Sequence, residues 1–260
     1  MEHLLQVEHA VRKFGGVTAV NDVSLHLDEH ELVALIGPNG AGKTTLFNLL
    51  TGMVPVTSGK IDLRVDKQTY DLTSKNAVQI ADLGLSRTFQ NIRLFKNLSV
   101  MDNVLTAMTN KYKEGFLTTV FRLPSYYRTE KEMRAAAEKL LDIFDLTDSQ
   151  ALLAENLPYG TQRRLEIVRA LATQPKILFL DEPAAGMNPE ETADLTNLIK
   201  RVQKEFGITV LLIEHDMSLV MNLAERIYVL DQGELLATGT PEEIRTNNKV
   251  VEAYLGEGEV

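Results

Sequence analysis

The residues from Gly37 to Thr44, Gly-Pro-Asn-Gly-Ala-Gly-Lys-Thr, satisfy the pattern G-x-x-x-x-G-K-[ST]. Glycines in that spacing let backbone N–H groups close around phosphate oxygens, and a helix starting there adds the partial positive charge of its N-terminus. Lys43 is then placed to reach the β- and γ-phosphates of a nucleotide, and the Thr44 hydroxyl to ligate Mg²⁺. Gly37, Pro38, Asn39, Gly40, Ala41, Gly42, Lys43, Thr44 and Thr45 are therefore the expected phosphate-binding residues. Ser58-Gly59-Lys60 shows what failure looks like: Ile61 follows, the upstream glycine is missing, and the context is a strand.

Two further clusters end apolar runs. Ile177-Leu178-Phe179-Leu180 leads into Asp181-Glu182, and adjacent carboxylates at the end of a buried strand are costly without a cation or a proton-transfer task. With a phosphate loop in the same chain, Asp181 falls to the Mg²⁺ shell and Glu182 to the attacking water. The run from Ile208 to Ile213 leads in the same way to Glu214-His215-Asp216, and His215 ends a strand expected beside the one bearing Glu182. Sites in open α/β sheets form at the carboxyl ends of strands, which is where all three clusters lie.

The elements that must position these groups are legible as an alternation of short apolar runs and amphipathic patterns, an α/β domain with a largely parallel sheet. Strands are expected to begin near Leu32, Ile177, Ile208 and Ile227. From Glu190 to Phe206 the spacing places Ala193, Leu195, Leu198, Ile199 and Val202 on one helical face, with Gly207 as the stop. From Leu98 to about Asn156 the pattern is helical: Val100, Val104, Leu105 and Met108 share one face, and Met133, Ala136, Ala137, Leu140, Leu141 and Phe144 another. Between them, KYKEGFLTTVFRLPSYYR is aromatic and basic, and reads either as a solvated connection or as a docking surface.

Composition narrows the class. The 260 residues hold 27 Lys+Arg against 36 Asp+Glu, a net charge of −9, which argues against nucleic acid as a partner. The absence of Cys removes disulfides, thiolate metal sites and cysteine nucleophiles. No run approaches the roughly 20 apolar residues of a spanning helix, and the N-terminal residues lack a signal-peptide layout.

In motif order the chain resembles the nucleotide-binding subunits of ATP-binding-cassette transporters over essentially its whole length. The resemblance implies a P-loop NTPase, RecA-like α/β fold with an antiparallel β subdomain. It implies a helical subdomain inserted over 91–160 and a C-terminal strand and helix extension over 228–260, all within one ATPase domain. By the same likeness Phe14, in RKFGG, matches the aromatic that stacks on adenine, and Gln90, in SRTFQN, the glutamine that contacts metal and water. His215 matches the switch histidine near the γ-phosphate. The family signature Leu-Ser-Gly-Gly-Gln is replaced by Leu157-Pro158-Tyr159-Gly160-Thr161, which leaves Tyr159, Gly160 and a helix start for the nucleotide of a second subunit. Asn188 stands where the family carries an aspartate, so a weaker grip across the subunits is expected.

Within the family, the stretches SRTFQNIRLFKNLSVMDNV, LPYGTQRRLEIVRAL and DEPAAGMNPEET, with the ending GTPEEIRTNNKVVEAYLGE, look most like ATP-binding subunits of branched-chain amino-acid importers. Urea and amide importers and lipopolysaccharide exporters share much of this pattern, and a soluble cassette clamp on DNA or ribosomes is a more distant alternative. The resemblance implies ATP and Mg²⁺ as cofactors and a head-to-tail dimer with a second cassette. It also implies integral membrane permease subunits, an indirect link to a substrate-binding protein, no nucleic acid, and a peripheral location on the cytoplasmic face of the membrane.

Overall fold

The computed structural model describes residues 3–112 and 124–255. The chain forms two compact units, Met1–Arg87 with Lys176–Val260, and Thr88–Pro175.

In the first unit, β1 (Leu5–Phe14) and β2 (Val17–Leu27) form an antiparallel hairpin, followed by β3 (Leu32–Ile36) and α1 (Lys43–Leu50). Then come β4 (Ser58–Val65), β5 (Gln68–Asp71), α2 (Ala77–Asp82) and the short β6 (Leu85–Arg87). The second unit contributes α3 (Val100–Met108), α4 (Pro124–Ile143) and α5 (Tyr159–Leu171). The chain returns to the first unit with β7 (Ile177–Asp181), α6 (Pro189–Phe206), β8 (Thr209–Ile213) and α7 (Met217–Leu223). It ends on β9 (Arg226–Asp231), β10 (Glu234–Gly239), α8 (Pro241–Arg245) and α9 (Asn248–Leu255).

The first unit holds two sheets, an antiparallel one in the order β2-β1-β4-β5 and a larger one in the order β10-β9-β3-β8-β7-β6. In the larger sheet, β9, β3, β8, β7 and β6 run parallel and β10 returns antiparallel at one edge. Every residue of β3, β7 and β8 is buried, as expected of parallel strands covered on both faces. One apolar cluster joins Leu5, Val7 and Ile61 of the antiparallel sheet, Leu46, Phe47 and Leu50 of α1, and Phe179 and Leu211 of the larger sheet. The Phe47 and Phe179 rings meet edge to face at 5.4 Å, so α1 is fixed to the strand that carries Asp181. Burying each such ring contributes about 1.5–3 kcal/mol.

The parallel strands lie where the apolar runs place them, within a residue or so at each start. Helix α6 buries Leu195, Ile199 and Val202 of the expected face and half-buries Leu198, but Ala193 is exposed, and Thr196 and Gln203 are buried as well. The physical reason is local satisfaction of the polar groups. Thr196 returns its hydroxyl to the Thr192 carbonyl at 2.7 Å, and Gln203 donates to the His30 carbonyl, so both bury without an orphaned donor. Gly207 stops the helix in the left-handed region at φ 57°.

In the second unit, Val100, Val104, Met108, Ala137, Leu140, Leu141 and Phe144 are buried, on the two faces the spacing marks. Asn103 is fully buried there, donating to the Phe95 and Ser99 carbonyls and accepting from the Phe95 N–H, which pins the loop before α3. Most of the aromatic and basic stretch between α3 and α4 falls on 113–123, outside the described residues. Among the described residues no helix is long and apolar enough to cross a membrane.

Candidate nucleotide site

The loop between β3 and α1 is built by close backbone approach. A Cβ on Gly37 (φ 148°) would lie 2.1 Å from the Leu230 carbonyl oxygen, and one on Gly42 (φ 96°) 2.4 Å from that of Ala19. Only glycine fits at either position. The Gly233 N–H donates to the Ala41 carbonyl and fastens the loop to the β9–β10 turn. Lys43, itself 6% exposed, donates from Nζ to the carbonyls of Gly37 and Pro38 at 2.6 and 2.7 Å and curls back along the loop. Helix α1 begins without a side-chain cap, so its positive end faces the loop unneutralised by its own sequence. Asn39, Gly40 and Thr44 are exposed, Gly42 and Thr45 are half-buried, and Gly37, Pro38 and Ala41 are buried.

The sheet order sets the remaining groups beside this loop. Strand β8 lies between β3 and β7, pairing Leu35 with Ile213 and Ile213 with Asp181. The carboxyl ends of the phosphate-loop strand, the His215 strand and the Asp181 strand are therefore adjacent, at the crevice where α/β sheets place ligands. His215 Nε2 lies 3.0 Å from Glu182 Oε1. Glu182 holds a left-handed backbone at φ 48°, a conformation that marks functional turns when surrounding structure enforces it. Its own N–H donates to the Ile213 carbonyl at 3.0 Å.

Asp181 is 3% exposed and is paired with Arg87, whose Nη2 donates to Oδ2 at 2.7 Å. The Arg87 Nη1 donates to Asn48 Oδ1 at 2.7 Å and Thr51 Oγ1 at 3.1 Å on α1. Arg87 lies in the stretch SRTFQN, where the sequence assigns a role only to Gln90; it ties the acidic strand to the helix that follows the phosphate loop. Glu214 belongs to the third cluster, in which the sequence assigns a role only to His215. It is buried, and its carboxyl is pushed up from the ordinary range chiefly by desolvation, against the backbone N–H groups of Ala184, His215 and Asp216.

Phe14 stands at the end of β1, 45% exposed, with the Arg12 guanidinium 4.4 Å from its ring centroid. An exposed aromatic stiffened by a cation on its face is suited to stacking on a base. Gln90, Tyr159 and Gly160 lie in the second unit. There α5 begins at Tyr159 with Pro158 as its N-cap residue, and Tyr159 is 47% exposed. The Gln90 carbonyl accepts from Arg163 Nη2 of α5 at 3.0 Å. Asn188 caps α6 through a reciprocal capping box with Glu191, both bonds at 3.0 Å; asparagine does this as well as aspartate.

The donor set fits a nucleotide with a hard cation. Thr44 offers an exposed hydroxyl and Asp181 a carboxylate, both oxygen ligands of the kind Mg²⁺ prefers, while the loop supplies backbone N–H groups and an ammonium. The grouping of His3, His26 and Asp28 is of another kind. Arg226 donates into His26 Nε2 at 2.5 Å and holds Glu31 through two bonds, so that cluster is an ion-pair node already holding its own cation.

A family model described as ABC transporter matches residues 20–185, and one described as branched-chain amino acid ATP-binding cassette transporter matches 234–260. The high-affinity branched-chain amino acid transport ATP-binding protein LivG of Salmonella typhimurium is 49% identical, over 98% of each chain. The corresponding BraF of Pseudomonas aeruginosa is 47% identical over the same shares. Among solved structures, the ADP conformation of MJ1267, an ATP-binding cassette of an ABC transporter, is 32% identical and superposes with a TM-score of 0.83, covering 98% of this chain and all of that one. Likeness of sequence and fold along nearly the full length of these proteins leaves one family, and this chain belongs to it: the ABC transporters, as one of their nucleotide-binding ATPase cassettes.

Proposed function

We propose that this chain hydrolyses ATP to drive uptake of branched-chain amino acids, as the peripheral motor on the cytoplasmic face of a membrane importer. The observation that carries the reading is the 49% identity, over 98% of both chains, to proteins named for that transport. The match of residues 234–260 to the corresponding C-terminal model supports it.

In this reading the loop from Gly37 to Thr45 wraps the phosphates with backbone N–H groups, and Lys43 leaves the carbonyls of Gly37 and Pro38 to neutralise them. Thr44 and Asp181 would hold Mg²⁺, and Phe14, steadied by Arg12, would stack on adenine. When bound, ATP supplies the phosphoanhydride to be cleaved and Mg²⁺ offsets its negative charge. Glu182 accepts the proton of the attacking water, a role worth on the order of 10²–10⁴ in rate. His215, within hydrogen-bond reach of Glu182, orients that carboxylate, and would contact the γ-phosphate. Tyr159, Gly160 and the start of α5 would face the nucleotide of a second cassette, a copy or a homologue, in a head-to-tail dimer.

The integral membrane permease subunits would dock on the second unit. A groove of about 790 Å³ lies between α3 and α4, lined by Leu98, Leu105, Tyr112, Tyr126 and Met133 among others. Asp102, Glu130 and three threonines add polar groups to that lining, and a cleft of this mixed character fits a short amphipathic helix presented by a membrane subunit. A substrate-binding protein would act through those subunits.

The test is copurification with the membrane subunits, followed by ATPase measurement against a panel of liganded binding proteins. Stimulation by leucine, isoleucine and valine is expected. Stimulation by urea with none by those amino acids would refute the substrate class.

A further inference from the structure

Glu214 immediately precedes His215 and is 4% exposed. Its Oε1 accepts the Ala184 N–H at 2.8 Å, and its Oε2 accepts the His215 N–H at 3.1 Å. Ala184 lies two residues beyond Glu182. One buried carboxylate thus grips the backbone on both sides of the 3.0 Å contact between Glu182 and His215, once after β7 and once after β8.

The placement has a physical logic. Glu182 occupies a left-handed conformation that only enforced surroundings maintain, and Ala184 is in the turn leaving it. The strands themselves fix Asp181 against Ile213, but the ladder ends there, and the residues that do the chemistry lie just beyond it. Groups past the end of a ladder are held to sub-ångström accuracy only if something else ties them, and a charged acceptor shared by several N–H donors is the strongest tie a backbone can have. Burial makes that carboxylate expensive, so its retention at this position is explained by what it holds.

We propose that Glu214 is a positioning residue for hydrolysis: it sets the distance and orientation between Glu182 and His215 by anchoring the two loops that carry them. The inference rests on the reading of Glu182 as general base. It assigns Glu214 no contact with nucleotide and no proton transfer.

The test is Glu214→Gln in the full chain, assembled with its membrane subunits. The amide keeps one acceptor oxygen but turns an N–H donor toward backbone N–H groups, so one anchor is lost. The expected result is a fall of about 10–100-fold in kcat, the scale of a misplacement near 1 Å, with KM and Kd for ATP within about twofold of wild type. The ¹⁵N resonance of His215 Nε2 is expected to move toward its position in Glu182→Gln, reporting loss of the contact independently of turnover. Glu214→Asp keeps both acceptors and is expected to recover part of the rate; it also serves as the readout if Glu214→Gln fails to fold. Unchanged kcat with an unchanged His215 resonance overturns the inference. A Glu182→Gln variant that hydrolyses ATP at the wild-type rate instead overturns the reading of Glu182, so the two failures are distinguishable.

Discussion

Removing the carboxylate of Glu166 exposes how much of the second unit hangs on one buried charge pair. Arg163 and Glu166 sit one turn apart on α5 with side chains 0% and 3% exposed, joined at 2.9 Å. Arg163 also donates to the carbonyls of Phe89 and Gln90 at 2.7 and 3.0 Å, and Glu166 accepts the Phe89 and Arg93 N–H groups at 3.3 Å. In Glu166→Ala the guanidinium stays buried without its carboxylate, which costs about 3–5 kcal/mol. At roughly 2–4 °C per kcal/mol for a chain of this size, the expected drop in Tm is about 6–20 °C. The double variant Arg163→Met/Glu166→Leu removes both charges at similar volume and is expected to regain at least half of that stability. It should not regain activity, because the Gln90 backbone has lost its anchor. Urea unfolding and calorimetry of Glu166→Ala, of the single variants Arg163→Met and Glu166→Leu, and of the double variant form the assay. A loss below about 1 kcal/mol in Glu166→Ala, or single-variant losses that simply add in the double variant, would refute the reasoning.

Gly37→Ala sets a Cβ 2.1 Å from the Leu230 carbonyl oxygen, so the loop must shift. ATP affinity is expected to fall on the order of 100-fold, with about 1–3 kcal/mol of stability lost, as titration with a fluorescent nucleotide and urea unfolding would show. His26 is held below its ordinary value by burial and then by the Arg226 charge. The unfolded chain therefore takes up this proton first, and stability present above about pH 6.5 is lost as pH falls toward the folded value. His26→Gln is expected to flatten the decline in urea midpoint between pH 7.5 and 5.5; an unchanged slope would refute the assignment.

The phosphate loop was readable because its chemistry demands glycine where backbone meets backbone, and the steric limits at Gly37 and Gly42 show why nothing else would serve. The strands β3, β7 and β8 were readable because burial on both faces leaves them apolar apart from Asp181, at the end that meets the site, and Thr209, whose hydroxyl donates to the Asp28 carbonyl. Arg87, Asn103, Arg163, Glu166 and Glu214 were not, since each is polar yet buried and its meaning lies in partners the sequence does not announce. Two left a faint signal: Arg163 and Glu166 interrupt an otherwise apolar face of α5 at a spacing of three. The path of β1 was obscured because bulges break its alternation between Val7 and Lys13, with His9 at φ 50°. Ala193 misled because periodicity counts apolar residues, whereas Thr196 earns its buried place by a hydrogen bond.

The most direct measurement of the central claim is ATP-driven leucine uptake into proteoliposomes carrying the complete importer, with this chain as wild type or as Glu182→Gln. The account predicts that wild type accumulates leucine only with ATP and Mg²⁺ on the side of this chain. Glu182→Gln should bind ATP with near wild-type affinity, hold the cassette dimer closed, and neither hydrolyse nor transport. Leucine uptake by Glu182→Gln at the wild-type rate, or uptake indifferent to ATP, would contradict it.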